Sequence, residues 1–294
     1  MTTQFATSSP ANFRAGLVQM CSGRDVERNV LDATTHIRAA ARGGAQYVQT
    51  PEITTLMETD RARLFVAVWP EEGNPVLAHF RALARELKIH LHIGSMGIAV
   101  AADRLANRGF LIGPTGAILA RYDKIHMFDV QLPGGEVYRE SKNYRPGEVA
   151  PVVDLPWGPL GVTICYDLRF AYLYRALAKA GARYLAIPSS FTVPTGKAHW
   201  HVLMRARAIE TGCWVLAAAQ AGRHEVGRET YGHSLVVSPW GEVVAEADGV
   251  TPGVIFADID PAKVDEARGR VPALEHDRAF SVDRVPAKAA EAAE

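Results

Sequence analysis

Cys165 closes an apolar run, Gly161-Val162-Thr163-Ile164, and opens a polar, aromatic turn, Tyr166-Asp167-Leu168-Arg169-Phe170. An amphipathic segment follows over residues 171–180. The pattern reads as a buried strand, a turn and a helix. A thiol on such a turn is placed to be a nucleophile. The turn exposes the sulfur, and the free N–H groups that start the helix favour a thiolate and a developing oxyanion. The alternative is a buried cysteine that packs as a small hydrophobe, and this segment alone supports both readings equally.

Three more polar residues fall at or near strand ends. Glu52 follows Pro51 at the end of a short strand, Lys124 lies just beyond a strand over 117–122, and Glu140 sits in the loop 134–143. Neighbouring strand ends bring side chains together on one rim of a sheet, where α/β folds build active sites. The set suits acyl transfer. Cys165 would attack a carbonyl carbon, and Glu52 would take the thiol proton and return it to the leaving amine. Lys124 would hold the oxyanion together with the backbone N–H of Tyr166. Glu140 would orient Lys124 and the leaving group or the incoming water. Taken singly, each of these Glu and Lys residues also reads as an ordinary solvated charge.

The elements that must carry these residues alternate along the chain. Strands are expected over 14–20, 46–50, 90–96, 109–112 and 117–122, and later over 184–190, 214–220, 234–238, 242–247 and 254–259. The segment 25–42 is helical, with Val26, Val30, Ala33, Ile37 and Ala40 on one face and Gly43-Gly44 at its end. Asn74-Pro75 opens a second helix that carries Leu77, Phe80, Leu83 and Leu87, and a third is expected over about 197–211. Early strands are separated by helices and later ones by turns such as Pro239-Trp240-Gly241. That predicts α/β architecture with mixed sheets covered by helices. No repeat or linker divides the chain, so one domain is expected over 13–280, between tails at 1–12 and 281–294.

Composition narrows the class. The chain has 294 residues, 32 basic and 32 acidic side chains, and 48% hydrophobic residues. That allows a sizeable core, and no basic excess points to nucleic acid or an anionic membrane. No apolar run approaches the ~18 residues that span a bilayer. Residues 1–12 lack the charged and apolar regions of a signal peptide. Cys21, Cys165 and Cys213 make neither a disulfide framework nor zinc-type spacing, which predicts a cytoplasmic setting with free thiols.

Pro51-Glu52, Tyr122-Asp123-Lys124-Ile125-His126 and Cys165-Tyr166-Asp167-Leu168-Arg169-Phe170 resemble the Glu, Lys and Cys signatures of the nitrilase (carbon–nitrogen hydrolase) superfamily, in the same order. The resemblance extends over about 13–278. Within the superfamily it is nearest the Nit branch of omega-amidases and deaminated glutathione amidases. The segments that carry it are Phe128-Asp129-Val130, Pro133-Gly134, Glu140-Ser141, Ala198-His199-Trp200, the run 205–211 and Tyr231-Gly232-His233-Ser234. Ala217-Ala218-Ala219-Gln220 and Arg223-His224 are similar to the deaminated glutathione side in particular. The resemblance implies a four-layer αββα sandwich that dimerises back to back. It also implies a Cys-Glu-Lys mechanism through a thioester acyl-enzyme, with no metal or cofactor. The implied substrate is a small carboxylate-bearing linear amide, deaminated glutathione first. α-Ketoglutaramate and an N-carbamoyl amino acid are the alternatives on the same machinery.

Two positions depart from the branch. His201 stands where a glutamate is usual and Lys197 where a proline is usual, both near the expected pocket mouth. Phe191, His201, Arg223 and Arg228 join Tyr166 as substrate-binding candidates, because aromatic walls and guanidinium groups suit a carboxylate-bearing amide. Arg169 is a further candidate that reads equally well as a structural salt bridge. The pairs His90/His92 and His199/His201 lack the i, i+4 spacing of a helical zinc motif, and two ligands do not complete a zinc site. Cys21 and Cys213 read as packing residues. Two rival classes are a metabolite-sensing binding protein on the same fold and a metal-dependent hydrolase.

Overall fold

A computed structural model describes residues 11–132 and 135–284. The tail reading therefore lies outside the described residues over 1–10 and 285–294, as does the Pro133-Gly134 pair.

Two six-stranded sheets form the centre. The first joins β1 (Phe13–Gln19), β2 (Tyr47–Gln49), β3 (His90–Ala101), β4 (Arg104–Ile112) and β5 (Ile118–Asp123) in sequence order. Two short strands, β6 (Asp129–Gln131) and β7 (Val137–Arg139), then pair as a hairpin. The second sheet contains β8 (Val152–Leu155), β9 (Gly158–Val162), β10 (Tyr184–Ala186) and β11 (Trp214–Ala217). A second hairpin, β12 (Ala221–Arg223) with β13 (Glu229–Tyr231), precedes β14 (Leu235–Val237) and β15 (Val243–Glu246), which complete the second sheet beside β11. The last strand, β16 (Gly253–Ile259), returns to the first sheet and pairs antiparallel with β1. In each sheet three central strands run parallel, β1-β2-β3 and β9-β10-β11.

Alternation along β1 separates the layers. Phe13, Ala15 and Leu17 share a core with Leu160, Val162, Leu185, Leu216 and Val236 of the second sheet, so the sheets pack face to face. Val18 lies in a second core with Ala33, Ile37 and Ala40 of α1 (Val26–Arg42). After α2 (Arg61–Ala67), α3 (Pro75–Leu87) adds Leu77, Phe80 and Leu83 to that core. On the opposite face, α4 (Ala171–Lys179) contributes Leu173, Tyr174 and Leu177, and α5 (Val193–Thr211) contributes Trp200 and Met204. A last helix, α6 (Ala262–Arg270), buries Val264 and Ala267. The order is helices, sheet, sheet, helices: the αββα sandwich.

Local chemistry fixes the helix starts. Asp25 accepts the N–H of Arg28 at 3.1 Å, and Asn74 accepts that of Leu77 at 3.0 Å with Pro75 just inside the helix. β4 begins five residues earlier than its apolar run suggests, and β3 runs on to Ala101, because the two pair as one long hairpin.

Candidate active site

β2 ends at Gln49, and Thr50-Pro51-Glu52 then crosses closely over β3. Gly94 makes that crossing possible, since a Cβ there would lie 2.2 Å from the Thr50 carbonyl oxygen and 2.5 Å from that of Pro51. Gln220, from the second sheet's end, donates through Nε2 to the carbonyls of Glu52 (3.0 Å) and Ile53 (3.1 Å). Ile53 adopts φ 56° and its N–H donates to Ser95 Oγ at 2.8 Å. A β-branched residue in the left-handed region is strained, of order 1–3 kcal/mol, and is held only by such surrounding bonds.

Cys165 also has a left-handed backbone, φ 50°, at the start of a short 3₁₀ turn, Cys165–Arg169. Its N–H donates to Pro188 O at 3.0 Å. Asp167, fully buried, locks this turn against the lysine loop. Its Oδ2 accepts from Tyr122 OH at 2.6 Å and Ile164 N–H at 2.8 Å, and its Oδ1 faces His126 through N–H at 3.1 Å and Nδ1 at 2.6 Å. Tyr122 and His126 flank Lys124, so one carboxylate connects two sequence motifs that lie about forty residues apart. Lys124 follows β5 directly. Its backbone is pinned by N–H to Asn107 O at 3.0 Å and by its carbonyl to Gly147 N–H at 2.9 Å.

These supports bring Glu52, Lys124, Glu140 and Cys165 into one cavity. Lys124 Nζ lies 2.8 Å from Glu52 Oε1 and 2.9 Å from Glu140 Oε2. Two of its three N–H bonds are thereby used, and the third is available to a ligand. Asn107 Nδ2 donates to Glu52 Oε1 and to Glu140 Oε1, each at 3.0 Å. Phe128 N–H adds a 2.7 Å bond to Glu140 Oε2. The site straddles the two sheets instead of lying on one rim: Glu52 and Lys124 come from the first, Cys165 from the second. The face-to-face packing brings the C-terminal ends of β2, β5 and β9 together.

Charge states follow from these contacts. Burial alone would push the Glu52 carboxyl up, but the Lys124 ammonium and its hydrogen bond outweigh burial and leave it below its ordinary value. Burial would likewise push Lys124 down, and the Glu140 and Glu52 carboxylates overcome it, so Lys124 stays firmly protonated. Cys165 differs from the expectation of a favoured thiolate. Burial, then the charge of Glu52, push its thiol well above the ordinary range, while Lys124 and the Ser190 backbone N–H only partly oppose them. The resting pair is therefore a protonated thiol beside a carboxylate, an arrangement in which the carboxylate can take the proton as the sulfur attacks.

The cavity measures about 460 Å³, a size suited to a small metabolite. Tyr166, Phe191, Arg169 and Arg228 line it. The Arg169 guanidinium lies 5.7 Å from the Tyr166 ring centre and 5.6 Å from that of Phe191. Arg228 donates through Nη2 to Ser190 O at 2.6 Å and sits 5.3 Å from the Tyr138 ring centre, while its buried Nε has no partner. An unmet guanidinium N–H at a cavity wall is suited to an anionic ligand group.

His201 and Arg223 do not line this cavity. His201 points away on α5, where its Nε2 meets Glu246 at 2.8 Å, and Lys197 is exposed on the same helix. The Arg223 side chain is 77% exposed, 4.0 Å from Glu229. Helical periodicity separates 201 from cavity-lining Thr195, and the β12–β13 hairpin turns 223 outward while 228 turns in. His92 is fully buried against Tyr47 OH at 3.0 Å, with its pKa lowered to about 3 by burial, and His90 packs edge-on against Trp157. His199 bonds Arg169. Cys213 is buried, its thiol 3.2 Å from Ala182 O, and Cys21 is half-buried.

Asn107 and Ser190 are among the cavity residues that the sequence does not single out. Asn107 is a buried polar amide in β4, where it follows Leu105-Ala106 and precedes Arg108, and a polar pair inside a strand is its one sequence signal.

Known proteins resemble this chain in sequence and fold. Residues 14–269 match the family described as carbon-nitrogen hydrolase. The chain is similar to the deaminated glutathione amidase of Yersinia enterocolitica, at 38% identity over 275 residues, covering 92% of this chain and 94% of that protein. Among solved structures it is similar to the Caenorhabditis elegans NitFhit protein (TM-score 0.85, 36% identity), covering 92% of this chain and 66% of that longer one. It is also similar to Saccharomyces cerevisiae Nit3, a member of branch 10 of the nitrilase superfamily (TM-score 0.82, 29% identity), with 92% and 99% covered.

Proposed function

The chain belongs to the carbon–nitrogen hydrolase family, and from that membership we propose that it is a thiol amidase working through Cys165 on deaminated glutathione. It is a hydrolase of C–N bonds in linear amides. The observation that carries the mechanism is the buried Glu52–Lys124 pair, 2.8 Å apart, in one cavity with the Cys165 thiol.

Glu52 takes the Cys165 proton as the sulfur attacks the amide carbonyl carbon. The carbonyl oxygen becomes an oxyanion, held by the third N–H of Lys124 and by the Tyr166 backbone N–H. Protonated Glu52 then gives its proton to the amide nitrogen, the C–N bond breaks and the amine leaves. A thioester remains on Cys165. Water attacks it with Glu52 again as base, the C–S bond breaks, and the sulfur recovers its proton while the carboxylate product departs. Glu140 and Asn107 hold Lys124 and Glu52 in place throughout. Tyr166 and Phe191 wall the pocket, and Arg228 receives a substrate carboxylate.

The name carried by the Yersinia relative supports deaminated glutathione as substrate, and the Arg228 guanidinium at the cavity wall suits a carboxylate-bearing amide. Residues 13–280 act as one hydrolase domain, a reading supported by the core that both sheets share. A back-to-back homodimer belongs to the same reading and is supported by Val202 and Ile209, exposed two turns apart on α5. Three free thiols support a reducing, cytoplasmic setting. No helix among the described residues is long and apolar enough to cross a membrane.

The test is product analysis on deaminated glutathione, α-ketoglutaramate, an N-carbamoyl amino acid and a simple nitrile, with Cys165→Ala as control. The expected result is preferential cleavage of deaminated glutathione to α-ketoglutarate and cysteinylglycine without ammonia. Preferred release of ammonia from α-ketoglutaramate would move the substrate to the omega-amidase reading.

A further inference from the structure

Away from the catalytic cavity, α5 and the second sheet place two imidazoles on one carboxylate oxygen. His201 Nε2 and His233 Nδ1 each lie 2.8 Å from Glu246 Oε1. One ligand atom from each of the three residues falls within 4.8 Å of the others. We propose that His201, His233 and Glu246 form a binding site for a borderline divalent metal ion, Zn²⁺ foremost, on the outer side of α5.

The ligand chemistry is suited to such an ion. Two imidazole nitrogens and one carboxylate oxygen are a three-ligand zinc set that leaves a fourth position for water. A tetrahedral ion bound at ~2.0–2.1 Å needs ligand atoms roughly 3.4 Å apart. The two 2.8 Å contacts and the 4.8 Å limit bracket that spacing, so rotation of exposed side chains suffices to open it. The three side chains are 27–34% exposed, which leaves a path from solvent. Metal entry requires no net proton release if both imidazoles are neutral. Each shifts its proton to the other ring nitrogen, and the freed lone pair faces the ion.

The backbone around the site is held in advance. His233 adopts φ 56°, a left-handed conformation unusual for a residue with a side chain. Its N–H donates to Asp248 O at 3.2 Å, and its carbonyl accepts the indole N–H of Trp200 at 2.9 Å. Trp200 immediately precedes His201 and is fully buried. One hydrogen bond therefore ties the carrier of the first imidazole to the turn that carries the second. Behind His233 the chain passes so closely that a Cβ on Gly249 would lie 2.9 Å from Nε2. The Tyr231 ring lies 4.3 Å from the His233 ring between centres, tilted by 32°. A bound ion would link α5 to β15 and to the His233 turn. Imidazole ligands favour Zn²⁺, Co²⁺, Ni²⁺ and Cu²⁺ over Mg²⁺ and Ca²⁺.

The experiment titrates the metal-free full chain carrying Cys165→Ala, which removes the catalytic thiol as a competing ligand. Zn²⁺ affinity is read by competition with a chromogenic chelator, and Co²⁺ binding by its visible absorption. The proposal expects one ion per chain, at least tenfold weaker binding in both His201→Gln and Glu246→Gln, and a Zn²⁺-dependent rise in melting temperature that both variants lose. Melting without metal shows whether each variant folds. Unchanged Zn²⁺ affinity in the two folded variants, or equal affinity for Ca²⁺ and Zn²⁺, overturns it.

Discussion

The Glu52 carboxylate stands against the Cys165 thiol, and its negative charge adds to burial in pushing that thiol's pKa up. Replacing Glu52 with Gln keeps the shape and removes the charge. Two opposite effects are expected. Turnover falls by about 10²–10⁴ because the base is gone. The thiolate, read by its ultraviolet absorption or by alkylation rate against pH, appears at lower pH than in the wild type. A thiolate transition that stays in place or moves upward would show that Glu52 does not act on Cys165.

Asn107 supplies the donor that Glu52 and Glu140 share. In Asn107→Ala the Glu52 carboxylate loses a hydrogen bond that favours its ionised form. The acid limb of the kcat/KM profile should therefore move to higher pH, and kcat should fall about tenfold or more. Stability should drop by ~1–3 kcal/mol, the usual cost of unmet buried polar groups. A purely structural role would lower stability without moving the acid limb.

Arg228 lines the cavity, and its buried Nε–H has no partner. With Arg228→Gln, KM for a carboxylate-bearing amide should rise about tenfold or more, with kcat within about threefold, as expected for lost binding of a remote anion. Equal effects on an uncharged amide of the same length would remove the residue from carboxylate recognition.

His92 governs a pH effect on folding. Burial lowers its pKa to about 3, so the folded chain holds it neutral. A depressed folded pKa contributes stability that is present above the unfolded imidazole value, ~6.5, and is lost as pH falls toward the folded value. The loss approaches ~1.4 kcal/mol per pH unit below ~6.5 for this one group. Denaturant unfolding at pH 7 and pH 5 should show it, and His92→Gln should flatten the slope between them.

Cys165 is legible because it closes the apolar run Gly161–Ile164. Glu52 follows Thr50-Pro51 and Lys124 follows Asp123, and what distinguishes them from solvated charges is the likeness of Pro51-Glu52 and Tyr122-Asp123-Lys124-Ile125-His126 to the family signatures. Capping made α1 and α3 visible. α2 and α6 gave less to read: α2 buries only Leu64, and α6 only Val264 and Ala267, so neither shows an apolar stripe. The protonated state of Cys165 depends on how the second sheet meets Glu52 and Lys124 from the first, which no local pattern encodes. The same holds for His201, whose side of α5 is set by Trp200 packing inward, and for Asn107, whose partners come from residues 55 and 33 positions away.

The most direct test of covalent thiol catalysis is acid-quenched mass spectrometry of the enzyme during turnover of deaminated glutathione. The mechanism predicts an α-ketoglutaryl thioester on the peptide that contains Cys165, absent in Cys165→Ala together with all product formation. Turnover by Cys165→Ala near the wild-type rate, with no adduct on the wild-type cysteine, would contradict it.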